Sequence, residues 1–507
     1  MCRTAAVCTS LATTTLVLSA CAVGPNYHPA PPPTGDRYTP EPLPEQTVST
    51  QTTGGEAQHF QLGRDLPGEW WTLFSSAKLD ELIKQALASY PNIAAQQAAL
   101  REAQDNMRAG QGPFFPQFNG SAWGQRSQQS GAEVFPGFPN FISNIFYTTV
   151  SVSYTFDIFG KQRRTVENLR AAAVQQNFEL EASYLTLASN VASTVIQIAS
   201  TRDQIAATNE IISVEGKQLD NIKQRAQLGS LTRSDILQQQ SNLDAVRATL
   251  PPLQQQLAAA EHSLAVLTGH FPRDLATVEL SLSDLRLPQE LPVSLPSALV
   301  AQRPDIRAQA AVVHQASANI GVATANMLPQ LTLTGSFGGA TTEIGTLLNS
   351  ASGIWTLGGP QGGLTAPLFE GGTLRAKRRA AVDAYDQSVA QYRLTVLQAF
   401  QNVADTLTAL DNDAQALAAQ HDALLSARAS LDLVQRQYDL GAVNYVSLLT
   451  AEQTYQQAQL AYVRAVASRF TDTVTLFQAL GGGWWNRHDA GAVPSLASDA
   501  QTTRNPS

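Results

Sequence analysis

Only three cysteines occur in this 507-residue chain, Cys2, Cys8 and Cys21, and the last sits where a thiol could do chemistry. Arg3, an apolar stretch reaching Leu18, and then Leu18-Ser19-Ala20-Cys21 read as a signal peptide ending in a lipobox. Small residues at Ser19 and Ala20 suit a peptidase pocket, and the Cys21 thiol is the nucleophile that takes up diacylglycerol. No cysteine follows, so disulfides are excluded even though the leader points to a compartment where they persist. The covalent lipid at Cys21 is expected, and no cofactor besides it. Seven histidines are scattered without an HExxH pair, so no metal site is expected. Gly358-Gly359-Pro360-Gln361-Gly362-Gly363 lacks the Lys-Ser/Thr and the following helix of a phosphate loop, and no GxSxG elbow is present. These absences point away from an enzyme. A net charge of −8 leaves no basic surface for nucleic acid.

The elements that would position any site are unusually long. Between Gly371 and Leu480 two helical runs meet at Gly441. In the first, Phe400, Val403, Leu407, Leu410, Ala414, Leu417, His421, Leu424, Leu431 and Tyr438 form one seam with a period near 3.5. So narrow a stripe packs helix against helix in a left-handed supercoil. His421 lies on this seam and reads as a packed or pore-facing side chain. The same block occurs between Gly160 and Gly269, where Val191, Ile198, Ile205 and Ile212 precede Val403, Leu410, Leu417 and Leu424 by 212 positions. Tyr90-Pro91-Asn92-Ile93 likewise matches Arg303-Pro304-Asp305-Ile306, and Leu228-Gly229-Ser230 matches Leu440-Gly441-Ala442. One unit is duplicated.

The chain therefore divides into a signal peptide at 1–20, a lipid-anchored Pro-rich tether at 21–68, repeat one at 69–290, repeat two at 291–483 and a tail at 484–507. Each repeat carries a short helix stopped before Pro, an Ala/Gln-rich helix, two extended segments, and two long helices. The extended segments have period two: Thr148, Val150, Val152, Tyr154 and Phe156 alternate with Thr149, Ser151, Ser153 and Thr155. Leu331, Leu333 and Phe337 alternate with Thr332, Thr334 and Ser336 in the second copy. Their partners are Phe118 to Gln128 and a Gly-rich stretch from Trp355 to Leu368, where bends are expected. These lengths suit strands crossing a bilayer. Four strands cannot close a membrane barrel, and an open edge in lipid leaves N–H and C=O groups unpaired. Several copies must pool their strands: two would give eight and a filled interior, three would give twelve and room for a channel. Gly160 and Gly371-Gly372 mark the strand-to-helix junctions.

The lipobox with Cys21-Ala22-Val23-Gly24-Pro25-Asn26-Tyr27, then Arg303-Pro304-Asp305-Ile306-Arg307, Tyr438-Asp439-Leu440-Gly441, Asn444-Tyr445-Val446 and Ala479-Leu480-Gly481-Gly482-Gly483-Trp484 together resemble one family. It is the outer-membrane efflux channel family typified by TolC, in its NodT-like lipoprotein branch. The fold class implied is a mixed α/β membrane protein. It is a homotrimer with a twelve-stranded outer-membrane barrel and a periplasmic α-barrel of long coiled-coil helices. The implied partners are a periplasmic adaptor (membrane fusion) protein, an inner-membrane RND-type pump and outer-membrane lipid. The implied function is a passive conduit exporting drugs, toxic compounds or metals. The alternatives are a channel for type I protein secretion and a pore-less periplasmic coiled-coil lipoprotein. Ala22 stands where an Asp would resemble the inner-membrane retention signal, which favours the outer membrane.

The resemblance also locates a site at the tip of the tunnel, where Gly229 and Gly441 break the helices and where an adaptor could dock. Family members often carry Asp six and nine residues after the second Gly, and an Arg three further on. Here those positions hold Ser447, Thr450 and Gln453, so the acidic ring is missing. Six residues after the first Gly, Asp235 does match; it reads as a gate acid beside Arg233, or as a charge favoring the start of a helix capped by Ser234. Tyr438 could lock a closed state through its hydroxyl, and Val446 could form an apolar constriction.

Overall fold

The computed structural model describes residues 22–487 except 32–34, 36, 43, 131–134, 138, 230, 275–278 and 359–361; the side chain of Ser350 is also outside it. Cys21, the signal peptide and most of the tail therefore lie outside the described residues. The helices are α1 (Ala77–Ser89), α2 (Pro91–Gly110), α3 (Lys161–Gln227), α4 (Arg233–Leu267), α5 (Pro296–Gln302), α6 (Pro304–Ala325), α7 (Thr373–Asp439) and α8 (Tyr445–Ala479). The strands are β1 (His59–Leu62), β2 (Gln117–Gln129), β3 (Phe141–Phe156), β4 (Glu290–Val293), β5 (Gln330–Thr341), β6 (Gly353–Leu357) and β7 (Gly363–Thr365). The duplication is plain in the helices: α3 and α7 are 67 residues each, α4 and α8 are 35 each. At ~1.5 Å per residue the longer pair measure roughly 100 Å. The chain falls into two compact units that cut across the repeats.

The first unit comprises residues 1–30, 100–176 and 309–392 and holds the sheet. β2, β3 and β5 pair antiparallel in that order, and both β6 and β7 pair with β5. Trp355 to Leu368 thus becomes two short strands at opposite ends of one strand position, as its glycines suggested. The register puts Phe118 opposite Val152, Val150 opposite Phe337, and Phe337 opposite Trp355. This face is greasy yet bare: Phe337 is 71% and Trp355 75% exposed. On the other face hydroxyls pair across strands, Ser121 with Thr149 at 2.8 Å and Thr155 with Thr332 at 3.0 Å. A sheet with apolar side chains outward and hydroxyls inward fits a lipid-facing wall. No helix among the described residues is long and apolar enough to cross a membrane.

In the same unit, residues 22–27 form a strap at the start of α3. Val23 N–H donates to Phe159 C=O, and Arg164 donates to Val23 C=O, Gly24 C=O and Asn26 Oδ1. Tyr27 stacks on His314, ring centroids 4.3 Å apart. Ala22 lies so close to Gly160 that a Cβ there would come within 2.7 Å of it. Gly160 has φ +77°, Gly371 +59° and Gly372 +85°, in line with their place at strand-to-helix junctions.

The second unit comprises 31–99, 177–308 and 393–507. Its core is the predicted seam: Val403, Leu407, Leu410, Ala414 and Leu417 are buried, as are Val191, Val195 and Ile198 of α3. Trp70, Phe74, Phe470 and Phe477 form an aromatic cluster with centroids 5.6–6.5 Å apart. Arg303 explains its own motif: it pairs with Asp305 at 2.8 Å and donates to the Ala479 carbonyl at the end of α8.

Two features run beyond the sequence reading. Residues 47–58 of the Pro-rich tether are fastened to α8: Arg469, fully buried there, donates to Gly54 C=O, Thr47 Oγ1, Glu56 C=O and Gln58 Oε1. β1, within that segment, pairs parallel with β4. Four-residue strands more than two hundred positions apart leave no local period to read.

Candidate functional site

The helix breaks have a simple local cause. Gly229 and Gly441 take φ +80° and +75°, where any Cβ is strained, and each ends its helix. Gly441 N–H donates to Tyr438 C=O and Ala442 N–H to Gln437 C=O, closing the last turn of α7. A new helix then starts from a cap. On α4 the cap is Thr232, not Ser234: its Oγ1 accepts from Asp235 N–H, while Asp235 Oδ2 accepts from Thr232 N–H and Oγ1, both at 2.8 Å. This is a capping box, and it fixes the Asp235 carboxylate at its own helix end. Ser234 is one residue too late, because the capping side chain must precede the first helical residue. Arg233 is exposed and forms no ion pair with Asp235. On α8 Asn444 does the same job, its Oδ1 accepting from Ser447 N–H at 3.0 Å and Ser447 Oγ at 2.9 Å. Asp235 and Ser447 are therefore equivalent positions with one shared structural duty.

Other residues singled out in the sequence take varied places. Val446 is 60% exposed, and Thr450 is exposed with its hydroxyl bonded to the Val446 carbonyl. Tyr438 packs against Tyr445 at 5.8 Å and, with Ile222, Leu448 and Leu449, forms an apolar cluster that seals the tip within the chain. The Arg225 guanidinium lies over the Tyr438 ring at 5.5 Å and 3.6 Å from Asp439, joining α3 to α7. Burial raises the Tyr438 phenol pKa, with Arg225 opposing.

Next to this cluster is a polar layer that links three helices. Gln453 Nε2 on α8 donates to Asn242 Oδ1 on α4 at 2.9 Å. Asn242 Nδ2 donates to Glu215 Oε1 on α3 at 2.8 Å, and Gln239 Nε2 donates to Glu215 Oε2 at 2.6 Å. Glu452 joins the layer from α8, buried and facing Glu215. Burial, then the Glu215 charge, pushes the Glu452 carboxyl up to about 8; burial also raises Glu215, against its two amide donors. Of these residues the sequence singles out Gln453 alone; Glu215, Gln239, Asn242 and Glu452 come to light only in the fold. A signal was there: Tyr445, Leu448, Leu449, Glu452 and Ile211, Glu215, Leu219, Ile222 keep seam spacing, so each acid interrupts an apolar stripe. Among the described residues no group of three metal-ligating side chains occurs.

This fold, with its duplicated helix pairs and outward-greasy strands, is that of an outer-membrane channel. The family model for outer membrane efflux proteins matches residues 82–270 and 295–482. The chain belongs to that family. It is 30% identical over 448 residues to the pyoverdine export outer membrane protein OpmQ of Pseudomonas putida, covering 87% of this chain and 94% of that one. It is 26% identical to the cation efflux system protein CusC of Escherichia coli, covering 92% and 97%. The outer-membrane channel OprN superposes with a TM-score of 0.80 at 24% identity, over 92% of this chain and all of that one.

Proposed function

We propose that the protein is the passive outer-membrane conduit of a three-part efflux pump, assembled as a homotrimer and anchored by lipid at Cys21. The observation that carries this is the unfinished sheet. Four strand positions, with no partner for the outer edge of β2 among the described residues, cannot close alone in lipid. Three copies in rotation would make a ring of twelve strands with an open middle. The strap supports the anchor: Ala22, next to Cys21 in sequence, is packed at Gly160, just past the end of β3. A periplasmic adaptor would dock at the exposed helix breaks around Gly229 and Gly441, and an inner-membrane RND-type pump would supply the energy.

The cargo is a small molecule. Relatives are named for pyoverdine, toluene and cation efflux, so one channel design serves unlike solutes and the pump would choose among them. Planar-bilayer recording of the purified lipoprotein tests this reading, with its mass in detergent. A trimer with discrete conductance steps is expected; a monomer without conductance overturns the proposal. Mass spectrometry checks the anchor: a diacylglycerol adduct is expected on wild type and should be absent from Cys21→Ser. A deletion strain sensitive to small toxic compounds, with protein secretion intact, separates efflux from type I export.

A further inference from the structure

The polar layer beside the tip cluster has an imbalance that packing alone does not require. Glu215 is served by two amide donors, whereas Glu452 Oε2 and Gln239 Oε1 are both buried and make no hydrogen bond as acceptors. Two buried acceptors lacking donors in one layer are costly, and a proton on Glu452 turns one of them into a donor. The groups around Glu452 agree. The Glu215 carboxylate on α3 acts on it, and it in turn acts on the phenol of Tyr445 on its own helix, while the α4 amides of Gln239 and Asn242 are spent on Glu215. Asp235 acts on that phenol too, from the start of α4.

We infer that Glu452 is a protonated latch: as the neutral acid it holds α8 against α3 and α4 above the tip, and loss of its proton drives α8 away and loosens the tip. The inference rests on the conduit reading, since it assigns that conduit a regulated state. Ionisation puts a second negative charge in a layer with little water, opposite Glu215, with no change in the α4 amides to absorb it. The repulsion acts one turn from Leu448 and Leu449, which close the apolar cluster with Ile222, Tyr438 and Tyr445. The tip therefore loosens progressively as pH rises from the unfolded value towards the folded-state midpoint near 8, and no further above it. The carboxyl pair of Asp413 on α7 and Asp472 on α8 also carries a raised group, Asp413 at about 7 from burial and then Asp472, and remains in every variant below.

The test uses the full lipoprotein in detergent. Hydrogen exchange over Tyr445–Thr454, corrected for intrinsic rates, is measured from pH 6 to 9.5 in wild type, Glu452→Gln and Glu215→Gln. Wild type should lose protection as pH rises from 6, by up to about tenfold per pH unit, and level off above the midpoint near 8. Glu452→Gln should stay flat, and Glu215→Gln should move the step to lower pH by removing the opposing charge. Equal pH steps in wild type and Glu452→Gln overturn the latch. Conductance of the same samples reports separately on the conduit: silent bilayers with the exchange step intact overturn the channel and leave the latch standing.

Discussion

Asp235 and Ser447 illustrate how one position can look like a gate in sequence and be a cap in space. Each closes a helix start, and Asp235 does so with two bonds to Thr232. Asp235→Ala should destabilise the start of α4 by ~1 kcal/mol, seen as faster exchange over its first turn. Conductance should keep its pH dependence, because the carboxylate is spent on its own backbone. Glu452 behaves oppositely. Its folded-state pKa is raised, so stability is unaffected below the unfolded value and declines as pH climbs towards 8, where the folded group finally ionises. Glu452→Gln should therefore melt like wild type at pH 4 and at a higher temperature than wild type at pH 8.5. Thermal scans at the two values decide it. Neither residue's role could be read from its type. A capping acid and a seam acid differ only in which atoms surround them, and that depends on helices far apart in the chain.

At the level of elements, periodicity gave nearly everything long. The seam from Val403 to Leu417 is buried as its spacing required, and the 212-residue shift recurs in helices of equal length. Strand positions followed from alternation and glycine content. What escaped was the fastening of the N-terminal segment, because it depends on one side chain meeting a loop some four hundred residues away. Arg469 is that side chain, and burial lowers its pKa to about 10. Arg469→Ala leaves four acceptors of the 47–58 segment without their donor and should cost about 3–5 kcal/mol. Arg469→Lys should recover little, since an ammonium cannot span acceptors spread across so wide a fork. Limited proteolysis near Gly54 and chemical denaturation would register both.

For the whole molecule, the exposed apolar face of the sheet is the decisive surface. Val150 lies mid-strand on that face, 58% exposed. Val150→Arg should cost about 2–4 kcal/mol in the membrane and deplete the heat-resistant trimer on unboiled gels. Thr149→Arg, one residue along and on the hydroxyl face, should assemble and alter conductance instead. The contrast checks the sidedness of the wall rather than its mere presence.

The matched helices carry a further consequence for how such a chain can change over generations. α3 and α7 have the same length, as have α4 and α8, and the ends of α3, α7 and α8 meet in one cluster around Ile222, Tyr438 and Tyr445. Deleting one residue from a single arm would turn everything beyond it by about 100° and draw its end back by ~1.5 Å. Lengthening or shortening is thus tolerable only when both halves gain or lose whole heptads together, so the ancestral doubling still governs which insertions descendants can keep.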